Sequence, residues 1–242
     1  MIKKLLIVFV YSISLGFCHA QSYYFGLKGG PSISYQKWEA YNQSTLLSYN
    51  ITTFVESYSE ENPLNALFAQ FGYHNRGSAL RGAGFVFNNE YYRMATQKFI
   101  FGNLSLALGA KRKQELSKKI KSFYSFGLRG EYNIYNNLKE YEKVNTYISS
   151  PYFPVGAYVN KFTYGAQVGG GLEFSFSELL EGLFEITVNP DLSNQYDQPE
   201  LYGVINPYEP ANTTTLPRRR IKNTTVEFTF GLRFMNKVIY LD

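Results

Sequence analysis

From Phe162 to Phe176 the chain alternates without a break. Phe162, Tyr164, Ala166, Val168, Gly170, Leu172, Phe174 and Phe176 share one parity; Thr163, Gly165, Gln167, Gly169, Gly171, Glu173 and Ser175 share the other. Successive side chains of a strand point to opposite faces, so a period of two over this length is a β-strand with one apolar and one polar face. It is also longer than the roughly 9–11 residues with which a tilted strand crosses a bilayer.

Seven further stretches repeat the pattern, at Tyr23–Gln36, Leu47–Ser57, Ala66–Gly77, Phe99–Lys111, Lys121–Tyr135, Leu183–Leu192 and Thr224–Phe234. The links between them alternate long and short, the short ones falling near residues 58–65, 112–120 and 177–182. Short turns at one end and long loops at the other are the rhythm of a barrel in an outer membrane, with an even strand count placing both termini in the periplasm. The expected architecture is therefore an all-β, eight-stranded antiparallel transmembrane β-barrel over residues 21–242, as one domain.

Residues 1–20 read as an export signal. Lys3 and Lys4 give a positive start, Leu5 to Leu15 an apolar run, and Cys18-His19-Ala20 a cleavage site after Ala20. The apolar run is shorter than the ~20 residues of a spanning helix. Lipidation at Cys18 is the alternative, disfavoured because Phe17 stands where a small residue is wanted.

Removing this segment leaves no cysteine and His74 as the only histidine. Disulfides, thiol chemistry and cysteine-based zinc sites go with it. No ligand cluster or phosphate-binding loop appears, so no cofactor and no metal is expected. Of 24 Lys and Arg against 19 Asp and Glu, only Lys3 and Lys4 are lost. The remaining basic excess is too mild for a nucleic-acid partner. The aromatic load, 22 Tyr and 20 Phe against one Trp, suits interfacial girdles and a lipid-facing band.

Which face is the lumen follows from the charges. Lys28, Arg129, Glu131, Glu173, Glu185, Glu227 and Arg233 lie mid-strand on the polar face, among glycines 26, 30, 127, 165, 169, 171 and 231. Small residues fit the crowded interior that eight strands leave, and the bulky apolar face fits lipid. A lumen charge network is therefore expected. In it Glu173 and Glu185 lie close across the turn, with Arg233 to compensate them and Lys28 on the other side of its strand.

Three stretches, Phe25-Gly26-Leu27-Lys28-Gly29-Gly30, Ala69-Gln70-Phe71-Gly72-Tyr73-His74-Asn75-Arg76-Gly77 and Phe228-Thr229-Phe230-Gly231-Leu232-Arg233-Phe234, resemble the opening, third and closing strands of the PorT-like small outer-membrane barrels of Bacteroidetes-type bacteria. The resemblance implies an eight-stranded barrel, and some relatives serve protein secretion. The chain departs from it by running on past the closing aromatic as Met235–Asp242.

Three functional readings follow. The first is a non-enzymatic barrel, an accessory or structural subunit of an outer-membrane assembly. The second is a lipid-modifying enzyme using His74, with Ser78 four residues on; a lone histidine without an orienting acid argues against it. The third is a narrow pore for small solutes. Outer-membrane lipid and lipopolysaccharide are expected neighbours, and Arg218-Arg219-Arg220 with Lys222 is either a solvated charge run or a contact to lipopolysaccharide phosphates. The loop from Tyr147 to Tyr158 is rich in apolar residues for water. Its Tyr147, Ile148, Tyr152, Phe153, Val155 and Tyr158 are the expected partner surface, unless they fold over the barrel mouth.

Overall fold

A computed structural model describes residues 22–38, 43–82, 84–87, 90–93, 95–147, 153–206 and 209–237. The expected signal at residues 1–20, loop residues Ile148 and Tyr152, and the chain beyond 237 lie outside them. Eight long strands, 11 to 21 residues each, form the wall: β1 (Tyr23–Lys37), β2 (Leu46–Ser57), β3 (Asn65–Leu80), β6 (Gln97–Ser117), β7 (Ile120–Asn136), β8 (Phe162–Ser175), β9 (Leu180–Pro190) and β13 (Arg219–Asn236). Each pairs antiparallel with the next, and β13 pairs back onto β1, Phe234 opposite Phe25 and Lys222 opposite Lys37, which closes the ring. No helix among the described residues is long and apolar enough to cross a membrane; the crossing is made by strands.

Alternation decides what each strand shows to each side. Leu27, Tyr49, Phe71, Leu108, Phe126 and Phe230 are exposed on the outside, while Lys28, Asn50, Gln70, Ser125 and Thr229 are buried within. The period of two runs further than the apolar residues reveal. Arg112–Ser117, expected in a turn, continues β6, so that the turn contracts to residues 118–119. Lys113 takes the inward side there, a position where charge is needed rather than excluded.

Four aromatics break the simple assignment of apolar residues to lipid. Tyr24, Phe54, Phe68 and Phe123 have inward parity and are buried. Their rings are housed by glycines of neighbouring strands. A Cβ on Gly109 would stand 2.5 Å from Phe68 Cζ, and one on Gly171 would stand 2.8 Å from Phe123 Cζ. Gly26, Gly109, Gly127 and Gly171 are thus sockets for inward rings.

The loop end is built differently. Residues 84–93 carry a hairpin, β4 (Gly84–Phe87) with β5 (Glu90–Arg93), and the fourth link carries another, β11 (Leu201–Asn206) with β12 (Glu209–Leu216). Between them α1 (Leu138–Tyr147), a 3-10 turn (Gly156–Tyr158) and β10 (Tyr196–Gln198) close over the mouth. Trp38, Phe99, Phe101, Leu138, Phe153, Val159, Tyr196 and Ile221 form one buried cluster there. Trp38 meets Phe99 at 4.8 Å between ring centroids, and Phe99 meets Tyr141 at 4.7 Å. Asn145 clamps the cap by donating to the Phe153 carbonyl and accepting its N–H, both at 2.8 Å.

Candidate functional site

The lumen gathers the buried charged side chains of the described residues, and it is layered. At the end bearing the chain termini, Arg233 is the hub. Its Nη2 donates to Glu173 Oε2 at 2.5 Å, its Nε to Glu181 Oε2 at 2.7 Å and its Nη1 to Glu56 Oε1 at 3.1 Å. Lys111 donates to Glu56 at 2.6 Å, and Lys113 pairs with the same carboxylate. Three carboxylates meet three cations. The stems and heads of these cations lie against rings: Lys111 Nζ is 4.3 Å from the Phe123 centroid, and the Arg233 guanidinium is 4.2 Å from that of Tyr24. Such contacts hold a cation where water is scarce.

One step up, Lys28 and Glu185 pair with each other. The layer nearer the loops gathers Glu131, Asp191 and Glu227 around Arg76, Arg129 and His74. Arg129 reaches Asp191 at 2.5 Å and Glu131 at 3.1 Å, while Arg76 reaches the same two at 3.3 and 2.9 Å. His74 Nδ1 lies 2.7 Å from Glu227 Oε1. Every ionisable group in these layers is at most 8% exposed. Above them Gln36, Ser78, Asn223 and Gln195 form a neutral amide layer: Gln36 donates to Asn223 at 2.7 Å, and Asn223 donates to Asp191 at 2.9 Å.

All seven expected lumen charges lie in these layers, but their pairing differs from the expectation. Arg233 takes Glu173 as foreseen, yet Glu185 belongs to Lys28, because the register sets Glu185 opposite Gly171 and Glu173 opposite Leu183. Sequence reading overlooked Glu56, Lys111, Lys113, Glu181 and Asp191. Parity alone would have found Glu56, beside outward Val55, and Lys111, beside outward Ala110.

Two further expectations are corrected. His74 does have an orienting acid, Glu227, and its other nitrogen lies 3.5 Å from the Thr52 hydroxyl. Ser78 instead donates to Gln36 at 2.8 Å. The hydroxyl in line with His74 is buried, Thr52 being 4% exposed. The aromatic loop folds over the mouth. Phe153 and Val159 are buried in the cap, Tyr158 packs against it, and the Val155 N–H donates to Tyr196 Oη at 3.1 Å. Burying these side chains removes apolar area from water without a partner. Tyr147 alone of the described loop anchors stays fully outside, 91% exposed. No metal-holding group of three or more His, Cys, Asp or Glu occurs among the described residues.

The family model of the outer membrane protein beta-barrel domain matches residues 19–193, which contain seven of the eight long strands. No curated protein matches the chain. Among solved structures, the chain is similar to neisserial surface protein A from Neisseria, at 7% identity, with 88% of this chain and 96% of that one covered and a TM-score of 0.45. It is similar to the outer membrane protein OprG from Pseudomonas aeruginosa, at 9% identity, 88% and 97% coverage and a TM-score of 0.49. It is also similar to Ail, the attachment invasion locus protein of Yersinia pestis, at 11% identity, 88% and 99% coverage and a TM-score of 0.41.

Proposed function

This chain belongs to the outer membrane protein beta-barrel domain family, and we propose that it works in the bacterial outer membrane as a sealed, non-enzymatic barrel that presents its loops to an assembly. The observation that carries this is the filled lumen: two charge layers, an amide layer and an aromatic cap stack along one axis. A solute pore needs a continuous wet path, and an enzyme needs a reachable catalytic group. Neither has room beside buried, mutually paired side chains.

Exposed aromatic side chains stand at the loop end. Tyr147, Tyr91 and Tyr202 are 91, 63 and 75% exposed, the last two on the hairpins. Aromatic anchors of this kind dominate protein interfaces. The motifs shared with the PorT-like barrels support a role beside a secretion assembly, and that finer placement is part of the proposal. Native purification in mild detergent after brief crosslinking tests it. A partner captured with the whole chain and lost when residues 84–93 or 201–216 are replaced by a short turn supports the reading. An uncomplexed barrel in every preparation overturns it.

A further inference from the structure

The basic run Arg218-Arg219-Arg220 is sorted by the fold into different fates. Arg218 is tied to Asp197 by two hydrogen bonds, at 2.9 and 2.7 Å. Arg219 turns inward and is buried. Arg220 and Lys222 face outward on β13, and Lys37 lies directly opposite Lys222 on β1, also outward. Like charges directly opposite on one face of an antiparallel pair repel. Among the described residues none of the three forms an ion pair with a carboxylate, although Asp197, held by Arg218, stands opposite Arg220 in the β10–β13 pairing; Lys222 Nζ donates to the Leu192 carbonyl, at 3.3 Å. The three cations line one groove of about 520 Å³, together with Tyr164, Leu192 and Ser193.

The groove sits on the outer wall at the loop end, where the lipid-facing band stops. Below Lys37 on the same face are Tyr35 and Ile33, both exposed. Tyrosines mark the membrane interface. Tyr164 also walls a second, apolar groove of about 720 Å³ with Leu104, Leu106, Leu128, Tyr132 and Phe162. An anionic head above and an apolar channel below describe the two ends of one amphiphile.

We propose that Lys37, Arg220 and Lys222 hold the phosphate of an outer-leaflet glycolipid of the lipid A type, with an acyl chain lying beneath Tyr164. The commitment to a lipid rests on position: the cations face the membrane side of the wall, not the aqueous mouth. It stands independently of whether the barrel conducts or has a protein partner.

Native mass spectrometry of the folded full chain, in micelles doped with lipid A, tests it. The wild type is expected to retain one lipid A. The Lys37→Gln/Arg220→Gln/Lys222→Gln variant is expected to bind it roughly a hundredfold more weakly, at about fivefold for each cation. Dephosphorylated lipid A should bind the wild type about as weakly as the variant binds the phosphorylated form. Inorganic phosphate alone, at millimolar concentration, should leave the lipid in place. A charge-matched control at the other end, Lys118→Gln/Lys119→Gln/Lys121→Gln, should retain the lipid, and all three proteins should show the heat-modifiable gel shift of a folded barrel. Equal retention by wild type and the groove variant, equal loss in the control, retention of dephosphorylated lipid, or displacement by free phosphate each overturns the proposal.

Discussion

The two charge layers of the lumen hold similar numbers of groups but are wired differently. At the terminal end one residue, Arg233, touches all three carboxylates, and Glu181 has no other cation. At the loop end Glu131 and Asp191 each touch both Arg76 and Arg129. The first is a hub and the second a shared pair. A hub concentrates the electrostatic cost of failure in one side chain, whereas sharing spreads it. Removing one partner of a buried pair leaves a charge stranded away from water, which costs far more than the pair itself contributes.

The largest effect is expected from Arg233→Ala. It strands Glu181 and leaves Glu173 only its longer contacts to Lys111 and Lys113, at 3.4 and 3.7 Å, so unfolding in urea should show a loss of about 3–5 kcal/mol. Arg129→Ala should cost less, about 1–3 kcal/mol, because Arg76 still faces both carboxylates. The double variant lacking both arginines should cost well beyond the sum of the singles, since Glu131 and Asp191 then lose both of their arginine partners. Near-equal losses for Arg233→Ala and Arg129→Ala would erase the distinction between hub and shared pair. Next comes Gly109→Ala, whose Cβ would meet the Phe126 carbonyl oxygen and, at 2.5 Å, the Phe68 ring, and should cost about 1–3 kcal/mol by overpacking. Gly109→Ala/Phe68→Ala should cost less than the sum of the two single losses if ring and socket are one unit.

His74→Ala bears on function more than on stability. It removes the partner of Glu227, yet the lipid A pattern and the phospholipid composition should stay unchanged. A mutant-dependent acyl change, read by mass spectrometry, would reinstate the enzyme reading.

The smallest effect sits in the cap. Burial pushes the Tyr196 phenol up to about 12, from an ordinary 10. A raised value means the neutral form is favoured in the folded cap. Its contribution is complete below pH 10 and fades as pH rises towards 12. Tyrosinate absorbance should therefore show one late-titrating phenol among the cap tyrosines, while strand content stays constant.

The wall was legible in the sequence because period two survives any choice of lipid-facing residue. Phe162–Phe176 matches β8 but for its last residue, and every other strand overlaps its expected stretch. The ends were less legible. Gln97 and Arg219 begin strands before the apolar face starts, because pairing is a matter of backbone hydrogen bonds, which polar sequence serves equally well. The lumen was half legible. Charges were readable as inward, but partner choice depends on register between strands far apart in sequence, as with Glu56 and Arg233. The inward rings were missed because Phe54, Phe68 and Phe123 carry the parity of the polar face but an apolar side chain, and only the glycine sockets opposite them explain that placement. The apolar loop was readable as costly to leave in water, and both outcomes, docking or self-burial, satisfied that cost equally. Only three-dimensional proximity of Phe153 to Phe99 chose between them.

Single-channel recording in a planar bilayer tests the sealed lumen most directly. The wild-type barrel, inserted and confirmed as folded, should show no stable ohmic conductance, because paired charges and the aromatic cap occupy the axis. Discrete, long-lived ohmic steps from the wild type would contradict the account, since they require a continuous water path that these layers do not leave.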